Sequence, residues 1–462
     1  MDGVNDFTKG NIRKLIISFY FPMLMTNMLQ QLYSFVDTAI VGKGLGDNAL
    51  ASVGNMSSLS FLVIGFSIGL ANGFSVLIAQ SFGEKNYEKL RHNLAAAIKL
   101  AAIITVVLTI SSLLLLRSTL VWMNTDKLLL KDSLLYGYII FGGLATSISY
   151  NMSACILRAF GDSKTPLKAI IASSIINIML DIVFIFVLNT GVEGAAIATV
   201  LSQVISAFIC IAKIKSIEFA RLKKEDYKNP FSVYYTLLKN GIPMAFMNSI
   251  TAIGCMVVQS NVNSLGVDYT AAYSACSKYL NLFMQPACTA GYTMSAFTGQ
   301  NSGAGRFDRV KSGLNVCLII SFISYILLGS CMVFGSRFLA GIFLTGERPI
   351  QLATMFLPIC GFAIISVDCL FVIRSGVQGM GYPFIPMVSG IVEMVIRVAV
   401  IVLLVGKIGF VATAIAEVGA WTGALTLNSV AFIRILSSKL KEKGYITGYG
   451  YRKRGILDKR VI

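Results

Sequence analysis

Residues 48–82 carry no charged side chain, and neither do residues 133–157, 240–267, 279–305 or 312–336. Each run exceeds the roughly 20 residues that a helix needs to cross the hydrocarbon core of a bilayer. Recurring runs of this length leave few folds open. In lipid every backbone polar group must be satisfied within the chain, so only helices and closed barrels can span. Period-2 alternation broken by regular turns, the mark of a barrel, is absent. The chain therefore reads as an all-α polytopic membrane protein. Twelve spans are expected near 15–40, 51–80, 93–116, 134–157, 169–188, 195–214, 241–264, 270–297, 313–335, 350–373, 384–405 and 411–433.

Composition agrees. Only 13% of the 462 residues are charged, and mean hydropathy is +0.74. Soluble domains carry about 25% charged residues. Lys and Arg still outnumber Asp and Glu by 39 to 22. That excess sorts by loop. One side collects Lys9, Arg13, Lys14, Lys85, Lys89, Arg91, Arg158, Lys164, Lys168, the run from Lys213 to Lys239, Arg306, Arg309, Lys311, Arg374 and the basic tail. The other holds Lys43, Arg117, Lys127, Lys131, Arg337, Arg348 and Lys407. By the positive-inside rule both termini face the cytoplasm, which points to the inner membrane. The basic balance is thus a matter of topology, and nucleic acid is not expected as a partner. The start lacks the small-residue cleavage site of a signal peptide. The 9 Cys stand singly within spans, with no C-x-x-C, and read as small apolar fillers.

The second half repeats the first. AQSFGEKNYEKL (79–90) aligns with GQNSGAGRFDRV (299–310), so that Gln80 meets Gln300, Gly83 meets Gly303 and Lys89 meets Arg309. Pro166 meets Pro386, and GAAIAT (194–199) resembles VATAIAE (411–417). This gives an N-terminal six-helix bundle (1–214), a charged linker (215–239), a C-terminal six-helix bundle (240–436) and a basic cytoplasmic tail (437–462). Six helices return the chain to its starting side, so the copies run parallel. Parallel repeats with a site at their interface are a transporter architecture. No phosphate-cradling P-loop and no channel filter sequence are present, which leaves transport driven by an ion gradient. No nucleophile–base constellation suggests an enzyme, and no cofactor is implied.

Embedded acids are where coupling ions would bind. Asp181 lies deep in span five, four residues after Asn177, so both share one helix face. A structural hydrogen bond between helices is the competing reading; the cost of an isolated buried carboxylate favours function. Asp37 ends a charge-free run and could sit at the water interface. Asn27, Gln30 and Gln31 make the same helix polar, and Pro22 permits a kink, which tips Asp37 toward a functional place. In the second half, Glu393 and Arg397 are spaced for an intrahelical ion pair, Asp368 for interfacial pairing with Arg374, and Glu417 holds the repeat position of Thr199. Lys278 serves as a counter-ion or snorkels outward. His92 reads as a surface residue.

These blocks resemble the multidrug and toxic compound extrusion (MATE) family along essentially the whole chain. Residues 31–54, QLYSFVDTAIVGKGLGDNALASVG, resemble its first-helix signature, with Gln31, Val36, Asp37, Val41, Gly42, Leu45 and Gly46 in place. The second-half signature is met at 299–310, and LRAFGDSKTP (157–166), GVEGAAIAT (191–199) and VQGMGYPFIP (377–386) are also family-like. The resemblance implies twelve transmembrane helices in two pseudo-symmetric six-helix bundles around a central cavity. It implies export of cationic or amphiphilic compounds, organic cations and drugs among them, in exchange for H⁺ or Na⁺; a monomer is expected. In the DinF-like branch the coupling positions correspond to Asp37, Asn177, Asp181 and Thr199, with Pro22 as the helix-one hinge; Na⁺ would be held at Asp37, Asn177 and Asp181. The NorM-like branch adds an acid in helix seven, which here carries none; Gln31, Asp368, Glu393 and Glu417 are the further cavity residues to consider. A lipid-linked oligosaccharide flippase of the same superfamily is the alternative, although such proteins line the cavity with basic residues, and here embedded acids outnumber bases.

Overall fold

The structure, a computed structural model, describes residues 4–123 and 125–444. The basic run of the tail between Arg452 and Arg460 lies outside the described residues.

Twelve helical spans follow one another among the described residues. They are α1 (Ile12–Leu45), α2 (Asp47–Gly83), α3 (Tyr87–Trp122) and a two-piece α4 (Lys127–Gly142 and Leu144–Ala159). Next come α5 (Lys164–Ile182, continued by the π-helical turn Val183–Val187), α6 (Val192–Ser216) and α7 (Phe231–Leu265). In the second half are the two-piece α8 (Val267–Phe283 and Gln285–Gly303), α9 (Phe307–Ser324, prolonged through a π turn to Phe334), α10 (Glu347–Gly379), α11 (Phe384–Ile408) and α12 (Val411–Glu442). Most run several residues past the expected spans, because helix continues through the headgroup region wherever no Gly or Pro stops it. Eight are apolar enough to cross on composition alone, and α4, bent by 48°, is a ninth. α1, α8 and α12 are more polar than the rest.

The internal repeat is written in the backbone. Gly46 and Gly266 both take positive φ, as do Lys85 and Gly305, Gly161 and Gly381, and Gly191 and Gly409. Each pair stands at the same turn of its half. Pro22 and Pro243 likewise lie inside α1 and α7, the first helix of each half.

The helices cluster into two compact units. The first comprises Ser18–Ser81 and Asn86–Ala252; the second comprises Asp6–Ile17, Phe82–Lys85 and the chain from Ile253 onward. Within the first, Met56, Leu120, Phe141 and Leu144 form part of one buried cluster. Here α2 meets the N-terminal half of α7 backbone to backbone. A Cβ added to Gly69 would lie 2.5 Å from Ala245 Cα, and one on Gly73 2.5 Å from Gly241 Cα. Small residues four apart on both helices are what membrane helices use to approach closely. Within the second, Phe356, Cys360, Ile364 and Trp421 pack at the centre.

The motif at 299–310 has a structural task in the second unit. It grips the segment ahead of α1. Gln300 Oε1 accepts from Phe7 N (2.8 Å), while the Arg309 guanidinium donates to the carbonyls of Phe7 (2.9 Å) and Gly10 (3.0 Å) and to Asn301 Oδ1 (3.1 Å). Beside it, partial burial pushes the Asp6 carboxyl up, and hydrogen bonds from Lys85 and Thr8 outweigh that and hold it below the usual range. Arg309→Ala is expected to lower stability by about 2–3 kcal/mol, since several charged hydrogen bonds are lost, while the Phe7 carbonyl keeps Asn301 Nδ2 (3.2 Å). It should also make the chain cleavable by trypsin at Lys9 and Arg13. Unchanged melting and unchanged cleavage would refute that anchoring role.

Candidate functional site

The first unit places four sequence-expected residues together. α1 brings Asp37, α5 brings Asn177 and Asp181 one turn apart, and α6 brings Thr199. Asn177 and Asp181 are wholly buried, and Asp37 is half-buried. With its amide NH₂ toward Asp181, Asn177 donates to Oδ2 (2.9 Å) while its carbonyl accepts from Thr199 N (3.2 Å). The Asp37 and Asp181 carboxyls lie within hydrogen-bonding reach of each other. Oδ1 of each is buried and unpartnered.

Charge decides what such a pair can do. Neither Asp37 nor Asp181 has a basic partner among the described residues. Burial disfavours the charged form of a carboxylate, and a second carboxylate nearby disfavours it further. Two carboxyls can hydrogen-bond only through a shared proton; two carboxylates can stay together only around a cation. Such a pair can take up a positive charge, and the Asn177 amide can face it in either of two ways. Its NH₂ suits a proton-bound pair, whereas its oxygen, turned toward Asp181, would be repelled unless a cation lay between them.

Two members of the cluster were not singled out in the sequence. The phenols of Tyr33, on α1, and Tyr136, on α4, stand beside Thr199 and close enough to Asp37 and Asp181 to feel their charge. Thr199 Oγ1 also reaches Ala195 O (3.0 Å). Tyr33 carried a legible signal, since it lies one turn before Asp37. Tyr136 carried none: in an apolar run a tyrosine at the site reads like any core aromatic.

Pro22 lies within α1, fifteen residues before Asp37, or about 22 Å along the axis. Its missing N–H leaves a gap in the helix ladder, and Thr26 Oγ1 donates to the Pro22 carbonyl (2.8 Å). Gln31 is half-buried and makes no hydrogen bond to the acid pair among the described residues.

The second unit holds a different arrangement. Arg374 pairs with Glu393 (2.9 Å), and Arg397 reaches Glu393 at 3.7 Å and Glu417 at 3.0 Å. The Tyr273 hydroxyl closes the row against Glu417 (3.5 Å). The expected intrahelical pair of Glu393 and Arg397 forms, and a shorter bond of Arg397 crosses from α11 to α12. One expectation is corrected. Arg374 does not pair with Asp368: six residues along a helix put them on different sides, and Arg374 turns to α11 instead. Asp368 is 1% exposed, and its Oδ1 has no partner. Lys278 is exposed and lies over the Phe343 ring (5.3 Å), so it faces outward. His92 bonds Asn229 Oδ1 through Nδ1 (2.6 Å), tying α3 to the linker.

Comparison with known proteins bears on this arrangement. The MatE family model matches residues 22–183 and 243–403, one stretch in each half. The chain is 28% identical over 393 residues to the probable multidrug resistance protein YoeA of Bacillus subtilis, covering 83% of this chain and 85% of that one. It is 24% identical to a probable multidrug resistance protein NorM of Thermotoga maritima, over 94% and 95% of the two chains. Among solved structures, a MATE crystal structure in the bent conformation superposes with a TM-score of 0.89 at 21% identity, over 96% of this chain and 99% of that one.

Proposed function

The chain belongs to the MatE family, and from that premise we propose that it exports cationic or amphiphilic drugs by secondary active antiport against H⁺ or Na⁺. A multi-pass membrane transporter of this family is not an enzyme. The observation that carries the reading is the Asp37–Asp181 pair, buried without a basic partner and flanked by Asn177 and Thr199. It supports a coupling site in the first unit, as in the DinF-like branch. Relatives named as multidrug resistance proteins support the substrate class.

The proposed cycle follows from charge. With the pair empty of H⁺ or Na⁺, repulsion between the two carboxylates holds α1 off α5 at Asp37. Uptake of one positive charge removes that repulsion and lets α1 swing toward α5. Pro22 is the weak point of the α1 ladder, so the swing is concentrated there, and the reshaped interior of the first unit releases drug outward. The ion then leaves toward the cytoplasm, where we place both termini of a monomer in the inner membrane. An ion biases this equilibrium only by its difference in affinity for the two states.

The test is ethidium efflux from proteoliposomes under separately imposed Na⁺ and H⁺ gradients. One gradient is expected to drive efflux in the wild type, and Asp37→Asn to lose it. Efflux that ignores both gradients, or that survives in Asp37→Asn, would overturn the reading.

A further inference from the structure

A cavity of about 840 Å³ opens in the first unit, away from the acid pair. Its walls are α3, the second piece of α4 and the end of α6, and the linker segment 220–227 closes one end. On α3 it runs from Leu94 to Thr105, and on α4 from Ala145 to Ile156. Either stretch is about 16 Å long at the rise of an α-helix, close to half the roughly 30 Å hydrocarbon thickness. The cavity thus has the depth of one leaflet.

Its polarity is graded along that depth. The deep end is apolar. At that end Thr105 Oγ1 donates to Ala101 O on its own helix (2.7 Å), and nearer the mouth Ser153 Oγ donates to Ser149 O (2.6 Å). The shallow end carries Lys215, Arg221 and the exposed Tyr227, and no lining residue is acidic. Three charged groups near that mouth are engaged elsewhere, and the exposed Glu218, three residues from both Lys215 and Arg221, makes no ion pair with either among the described residues. Lys99 Nζ donates to Tyr227 O (2.6 Å), and Asp226 takes Arg91 (3.4 Å) and the Lys223 amide (2.7 Å). Among the described residues the exposed side chains of Lys215 and Arg221 have no ion-pair partner. They lie on the side where Lys and Arg collect, which is the side of the anionic leaflet.

We propose that this cavity is a binding site for an anionic glycerophospholipid. One acyl chain fills the space between α3 and α4, and the phosphate sits between Lys215 and Arg221. An apolar shaft of leaflet depth matches an acyl chain, and two unpaired cations at its mouth match a headgroup of net negative charge. Entry is lateral, past the exposed Ile98 and Ala102. This site is independent of the antiport reading, because it is read from cavity shape and charge alone.

Native mass spectrometry of the full chain, exchanged into equal amounts of phosphatidylglycerol and phosphatidylcholine with identical acyl chains, tests it. The wild type should retain one phosphatidylglycerol with roughly ten- to thirtyfold preference, from two basic groups acting near the membrane surface. Lys215→Gln with Arg221→Gln, both exposed and compatible with folding, should bring the preference close to one. Ala102→Trp should fill the shaft and release either lipid. A phosphatidylglycerol with a photoreactive group near the chain end should label peptides containing Thr105 or Ala145. No preference in the wild type, an undiminished preference in the double variant, or labelling confined to other helices would each overturn the proposal. So would displacement of the lipid by ethidium, which would make the cavity a drug site.

Discussion

Asp181→Asn is expected to cut gradient-driven efflux by about one to two orders of magnitude, the range of typical coupling energies between sites, while leaving the protein folded. The substitution keeps shape and removes the charge that an incoming ion must compensate. With one carboxylate gone, Asp37 no longer faces a like charge, so ion uptake brings little change in repulsion and little bias between states. Folding should not suffer, because a neutral amide costs less to bury than a carboxylate without a counter-charge. The amide introduced by the substitution can also keep a hydrogen bond to Asn177, whose partner in the wild type is Asp181 Oδ2 at 2.9 Å. The measurement is the initial rate of ethidium efflux with and without the driving gradient, beside a melting curve in detergent. Full coupled efflux in Asp181→Asn would sink the mechanism; a lost fold would show that Asp181 is structural. Tyr33→Phe should weaken coupling less, since it removes a hydroxyl beside the acid pair and no charge.

In the second unit, Arg397→Met is expected to destabilise the fold by about 3–5 kcal/mol, the usual cost of stranding the partners of a buried ion pair. Arg397 is 3% exposed and Glu417 5%. Removing the guanidinium leaves Glu417 with only the distant Tyr273 hydroxyl and leaves Glu393 with Arg374 alone. The double change of Arg397→Met with Glu417→Leu should regain much of the loss, because no uncompensated charge then remains between α11 and α12. Thermal unfolding of the two single variants and the double variant reads the coupling directly. Additive losses would mean that the two side chains do not depend on each other.

How much of this could be read from the chain alone depends on the range of each interaction. Span positions, the repeat and the basic side of the loops follow from local composition, and lipid leaves helices no alternative. Asn177 and Asp181 were legible because helical spacing puts them on one face. Asp37 drew attention because a carboxylate after a long charge-free run has to be explained. The second half was harder. Glu393, Arg397, Arg374 and Asp368 offered two pairings by spacing on their own helices, and the shorter bonds were made across helices instead. Each Arg took the carboxylate that packing brought near, and sequence separation does not record that.

The sequence by itself therefore determined the helices, their number, their order and the candidates for charge inside them, since burial cost and helical period act within a few residues. Only the tertiary structure decided which candidates meet. It brought Tyr136 from α4 to Thr199 on α6, turned Arg374 to Glu393, and assigned Gln300 and Arg309 to gripping the segment ahead of α1. Those choices are contacts between different helices and segments, fixed by how whole helices pack, and no local pattern encodes them.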